Sequence, residues 1–184
     1  MTDKTRASAM AALLITAFAV VYAAGAAVAG WEPALGWLIQ AVIHLGELSA
    51  VAALMLAGTA GRAGLAVAAA GQLVIAAAEV IWPHQPGLAD VLFAVSPILT
   101  GGGLIAAGVA VLRAGSWAGP SRFLPLALGG YTIVVLIPVM IGSGGPPSAV
   151  ALWTIAGWDA LWCLLAATVL RRSAAVRPDR VTVR

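Results

Sequence analysis

Charged residues are scarce in this sequence. Asp, Glu, Lys and Arg make up 9% of its 184 residues while 62% belong to the hydrophobic set, whereas soluble domains run at roughly a quarter charged and about half apolar. With so little polar surface to offer water, a soluble globular domain is excluded. Cysteine is scarcer still. Cys163 stands alone, which rules out an intramolecular disulfide framework and any cysteine-rich metal site and leaves it as a small core residue of an apolar run. Also missing are a glycine-rich phosphate loop, an HExxH helix and a Ser/His/Asp arrangement with a local signature. Of the two histidines, His44 lies in an apolar run and His84 between prolines, so neither a metal nor another cofactor is expected.

Long apolar runs fill the chain instead, and its mean hydropathy is +1.02. Stretches of about 18 or more apolar residues read as bilayer spans. Lipid cannot satisfy free backbone N–H and C=O groups, so spans must be helices or a closed barrel. The runs here are continuous rather than alternating, which selects helices. Six are present, over residues 7–29, 34–56, 64–81, 88–112, 123–141 and 149–170. Polar breaks rich in glycine and proline separate most of them, as at Trp82, Pro83, His84, Gln85 and Pro86, where two prolines remove helix donors. The predicted architecture is all-α, a single bundle of six transmembrane helices over residues 1–170 followed by a basic tail, residues 171–184. Pro97 with Gly101, Gly102 and Gly103 predicts a kink or a close helix approach in the fourth span, and Pro138 predicts the same in the fifth. The triplets Arg62, Ala63, Gly64 and Arg113, Ala114, Gly115 hint at a repeated helical hairpin.

The ten cations trace a topology. Lys4 and Arg6 precede the first span, Arg62 follows the second, Arg113 and Arg122 lie between the fourth and fifth, and five Arg occupy the tail; the three alternate connections carry none. This positive-inside asymmetry predicts that both termini are cytoplasmic and that Glu32, His84 and Gly145 face the other side. The net charge of +3 therefore reads as membrane orientation and not as affinity for nucleic acid. The expected partner is the lipid bilayer. Lys4 and Arg6 before Ala27, Val28 and Ala29 resemble a signal peptide, but a 23-residue apolar run exceeds the roughly 7 to 15 residues of such a segment, so it is read as a span. The usage of Ala, Gly, Val and Arg fits a bacterium with a GC-rich genome, which makes a multi-pass protein of the inner membrane the expected location.

Ionisable residues inside spans are costly, face the bundle interior and mark function by default. In the second span Gln40, His44 and Glu47 follow at spacings of four and three, which stack on one helical face with Trp37 a turn above. At about 1.5 Å of rise per residue from Ala34, His44 lies roughly 15 Å deep and Glu47 roughly 20 Å. Asp159 of the sixth span enters from the same side and reaches roughly 15 Å, flanked by Trp158 and Trp162 with Trp153 above. Glu79 and Asp90, at the outer ends of spans three and four, form a shallower pair. The expected picture is an outward-opening cleft with a deep acidic tier and a shallow one. Trp31, Trp82 and Trp117 fall at interfaces, where aromatic belts are ordinary. Taken alone, His44 fits a hydrogen-bonded core histidine, and Asp90 fits a helix-start carboxylate. Glu47 and Asp159 resist such readings: two carboxyl groups at that depth cannot both ionise cheaply, so at least one is expected to hold its proton near neutral pH.

Glu47, Asp159 and His44 are thus the candidate catalytic groups, with Trp37, Gln40, Glu79, Asp90, Trp153, Trp158 and Trp162 lining the substrate site. A neutral acid in a tryptophan-lined interior can protonate a poor base such as an alkene, and indole faces stabilise the resulting cation. In its size, its intramembrane Glu47 and Asp159, and the segment Gly157, Trp158, Asp159, Ala160, Leu161, Trp162, the chain resembles the small membrane-bound terpene cyclases. The resemblance is one of general character, without a motif matched residue by residue. It implies protonation-initiated cyclisation of a prenyl or terpenoid substrate that dissolves in the bilayer. Two alternatives use the same residues: a proton-coupled small transporter or membrane sensor, which at six helices would need to form a homo-oligomer to transport, and a non-catalytic partner subunit whose polar groups hold helices together.

Overall fold

A computed structural model describes residues 2–31 and 33–175 of the chain. The predicted exposure of Glu32 and most of the basic tail, Arg184 included, lie outside the described residues. The helices are α1 (Asp3–Ala29), α2 (Gly36–Leu56), α3 (Arg62–Ile81), α4 (Pro86–Ala114), α5 (Leu124–Tyr131), α6 (Ile137–Ser143) and α7 (Ala149–Ala175). A 3₁₀ turn (Pro120–Phe123), α5, a π-helical turn (Thr132–Leu136) and α6 follow without a gap and make one span. Six long apolar helices result, each able by length and composition to cross a bilayer. This is a six-helix integral membrane protein.

Local chemistry explains where the helices begin and end. Thr2 caps α1, its hydroxyl oxygen accepting from the N–H of Thr5 at 3.4 Å, and Asp3 adds negative charge at the positive end of the helix dipole. Pro86 opens α4, where its missing N–H costs nothing. Pro97 lies inside α4, yet the helix continues. A proline there leaves the carbonyl of Phe93 without its usual donor, and the Ser96 hydroxyl donates to that carbonyl at 3.4 Å. In the fifth span the π turn directly precedes Pro138, so that proline does interrupt regular α geometry. The hinted hairpin repeat fails: Arg62, Ala63 and Gly64 begin α3, whereas Arg113 and Ala114 end α4 and Gly115 caps it in the left-handed conformation.

α1 packs on α2 and α7, α2 on α3, α3 on α4 and α4 on α5, while α7 meets α1, α2 and the fifth span. The spans thus close into a ring with α2 and α7 touching across it. Glycine brings α3 and α4 unusually close. A methyl group on Gly64 would lie 2.6 Å from the Gly103 carbonyl oxygen, and one on Gly103 would lie 2.5 Å from that of Gly64, so neither position has room for a larger residue. We call the end at which α2, α4 and α7 begin the upper end. The interior of the lower half is apolar, built from Val51, Leu54, Leu65, Leu104, Val111, Leu165 and Val169.

Candidate functional site

The polar residues of the interior meet at the middle of the bundle. On α2, Gly46 lets α1 approach so closely that a methyl group there would lie 2.4 Å from Ile15, and the next residue, Glu47, is fully buried. One turn above it is His44, 6% exposed. Its Nδ1 lies 2.8 Å from Glu47 Oε2, an i,i+3 pair on one helix face. The other ring nitrogen, Nε2, lies 3.9 Å from Oε1 of Glu79 on α3, whose side chain retains 17% exposure. Asp159 comes from α7 and is 1% exposed. Its carboxyl lies near enough to that of Glu47 for the two to interact, while Glu47 Oε1 and Asp159 Oδ1 find no N–H or O–H donor. Two carboxyl groups attract one another only with a proton between them.

The result is a polar series, Glu79, His44, Glu47, Asp159, contributed by the consecutive helices α2 and α3 and by the distant α7. Aromatic rings border it. Trp158, 4% exposed, lies 6.2 Å from the His44 imidazole between ring centroids, and Trp162 meets Trp158 edge-on at 6.0 Å. Trp158 is fixed from the fifth span: its Nε1 donates to Thr132 Oγ1 at 2.9 Å. Thr132 heads the π turn, and its hydroxyl donates in turn to the Leu128 carbonyl at 2.9 Å. The neighbouring Tyr131 hydroxyl donates to the Thr154 carbonyl of α7 at 3.0 Å.

Comparison with known proteins supplies no relative. No family model, curated protein or solved structure matches the chain. Among the described residues, no group of three His, Cys, Asp or Glu side chains is arranged to hold a metal ion.

The structure brings together His44, Glu47, Glu79, Asp159, Trp158 and Trp162 of the residues singled out in the sequence. Glu79 joins the deep groups through His44 instead of pairing with Asp90, which is exposed at the start of α4. Trp153 points away and is 54% exposed. Trp37 and Gln40 are half-buried on α2 above the site, and His84 is exposed in its loop. Sequence reasoning overlooked Thr132 and Tyr131, as well as Gln72, which is fully buried on α3.

Proposed function

We propose that this protein is an acid–base catalyst that works inside the bilayer on an apolar substrate. The supporting observation is that its polar series has one open end. Glu79, near the upper end of α3, keeps 17% of its side chain exposed, and the lower interior is closed by Val51, Leu54, Leu65, Leu104, Leu165 and Val169, none more than 2% exposed. A path for carrying protons across the membrane needs polar groups in both halves. A path that stops halfway suits delivery of a proton to a molecule bound at its inner end.

In this reading Glu79 takes up a proton, and the imidazole of His44 receives it at one nitrogen and releases one from the other toward Glu47. The Glu47–Asp159 pair then holds one proton between two carboxyls. Its neutral member gives that proton to an alkene carbon of the substrate: the π electrons form the new C–H bond, and the adjacent carbon becomes a cation that the faces of Trp158 and Trp162 stabilise. A second double bond attacks the cation and closes a ring. Loss of a C–H proton to the ionised carboxylate makes the final double bond and restores the pair. Protonation-initiated cyclisation of a prenyl or terpenoid chain, the reaction that the resemblance to membrane-bound terpene cyclases favours, has these requirements.

The test is incubation of the reconstituted protein with a panel of isoprenoids, comparing it with Glu47→Gln and Asp159→Asn. Both changes keep the shape and remove the transferable proton. The native chain should form cyclic product, each variant should lose activity by about 100-fold or more while staying folded, and an infrared band of a protonated carboxyl should vanish in one of them. Full activity in both variants would defeat the proposal. Proton flux into vesicles without any cyclic product would favour the transporter.

A further inference from the structure

Buried polar atoms without a complementary group are rare in folded proteins and call for an explanation. Among the described residues they are Glu47 Oε1, Asp159 Oδ1, Gln72 Nε2, Gln72 Oε1 and Trp162 Nε1. The two carboxyl oxygens belong to the pair already described. Gln72 does not: its side chain is completely buried and uses neither its amide N–H groups nor its carbonyl. An amide left so in an apolar interior is strongly unfavourable.

Its direction follows from α3. Gly64 and Gly71 face α4, where added methyl groups would collide with Gly103 and Thr100. Gln72 is turned about 100° from Gly71, and it lies seven residues from both Glu79 and the fully buried Leu65, so it shares their face toward the bundle interior. Its depth matches as well. Counting about 1.5 Å per residue from the upper ends of the helices, Gln72 lies roughly 14 Å down, Asp159 roughly 15 Å, Glu47 roughly 16 Å and Trp162 roughly 20 Å.

At this level Gln72 offers two N–H donors and a carbonyl acceptor, Trp162 one N–H donor, and the carboxyl pair two acceptor oxygens. A plain hydrocarbon satisfies none of them. A hydroxyl group, which donates one hydrogen bond and accepts up to two, complements groups of both kinds. We infer that Gln72 and Trp162 form, with the Glu47–Asp159 pair, a binding site for a hydroxyl group, carried either by water or by an apolar alcohol. The inference deepens the catalytic reading, since it states what the reactive level holds besides hydrocarbon, but it needs no proton transfer to be true.

Thermal unfolding in detergent micelles tests it, with Gln72→Met removing the amide at similar volume and Trp162→Phe removing only the indole N–H and part of the ring. If the hydroxyl is that of water, Gln72→Met melts several degrees below the native protein, and the native infrared spectrum contains an O–H stretch that shifts in H₂¹⁸O and is missing from the variant. If it belongs to an alcohol, farnesol raises the native melting temperature, the hydrocarbon farnesane does not, and both variants lose the farnesol shift. A Gln72→Met protein that melts above the native one, together with equal shifts from farnesol and farnesane, would overturn the inference, because the amide would then be an orphan. Should Gln72→Met fail to fold, Trp162→Phe with the same two probes decides: retention of a farnesol-specific shift counts against the site. Neither residue titrates, so the protonated-carboxyl band persists in both variants, and failure here stays distinct from failure of Glu47 and Asp159 as acids.

Discussion

Thr132 shows how one hydroxyl can set the geometry of an aromatic wall. It donates along its own helix to Leu128 and accepts from the indole of Trp158, which fixes the ring beside His44. Thr132→Val keeps the shape and removes the acceptor, leaving a buried N–H unpaired. Unfolding stability in micelles should fall by about 1–3 kcal/mol, and Thr132→Ser should lose little; an unchanged denaturation curve for the valine variant would mean that the indole has another partner. Nothing in the sequence announces Thr132. His44, Glu47 and Asp159 stand out because any ionisable group in an apolar run does, but a threonine in a helix satisfies itself on the preceding turn, and Gln72 carries no charge. Trp153 misleads for a different reason. Its depth groups it with Asp159, yet six residues on a helix turn through about 240°, which carries its indole off the interior face.

At the scale of elements, the hydropathy pattern was enough to locate every span, and the glycines of α4 were the less legible part. Gly101, Gly102 and Gly103 could mean a kink or a close neighbour. Here they differ in purpose: Gly103 mates with Gly64 and Ala68 of α3, Gly101 meets Gly129 and Ile133 of the fifth span, and Gly102 faces nothing within 4 Å. Run composition carries no angular information about partners, so these roles could not be separated before the packing was known. The difference can be measured. Gly103→Ala should destabilise by about 1–3 kcal/mol through overpacking against backbone, whereas Gly102→Ala should be neutral or stabilising by up to about 1 kcal/mol, since it only removes a flexible residue from a helix. Equal melting temperatures for the two variants would contradict the tight α3–α4 contact.

For the whole molecule, charge placement makes a prediction that the packing alone does not. By the positive-inside pattern, residues 4, 62 and 113 are expected on the cytoplasmic side and residues 84 and 145 on the opposite side, with the upper end, near which Glu79 lies, expected to face out. Single cysteines introduced at these positions in a Cys163→Ala background should be labelled by an impermeant reagent only at 84 and 145 in intact cells. Labelling of both sets would break the six-span topology. The ring closure brings the first and last spans side by side, a contact that no local pattern in the chain could have disclosed.

That closure also bears on how the chain enters the membrane. During synthesis the second span is made before the seventh helix, more than a hundred residues downstream, so Glu47 exists before Asp159 does. Its first partner is one turn away on the same helix. Because the His44–Glu47 contact is intrahelical, it is available from the moment α2 forms, and it shields the costliest side chain of that span until the last helix arrives to complete the pair.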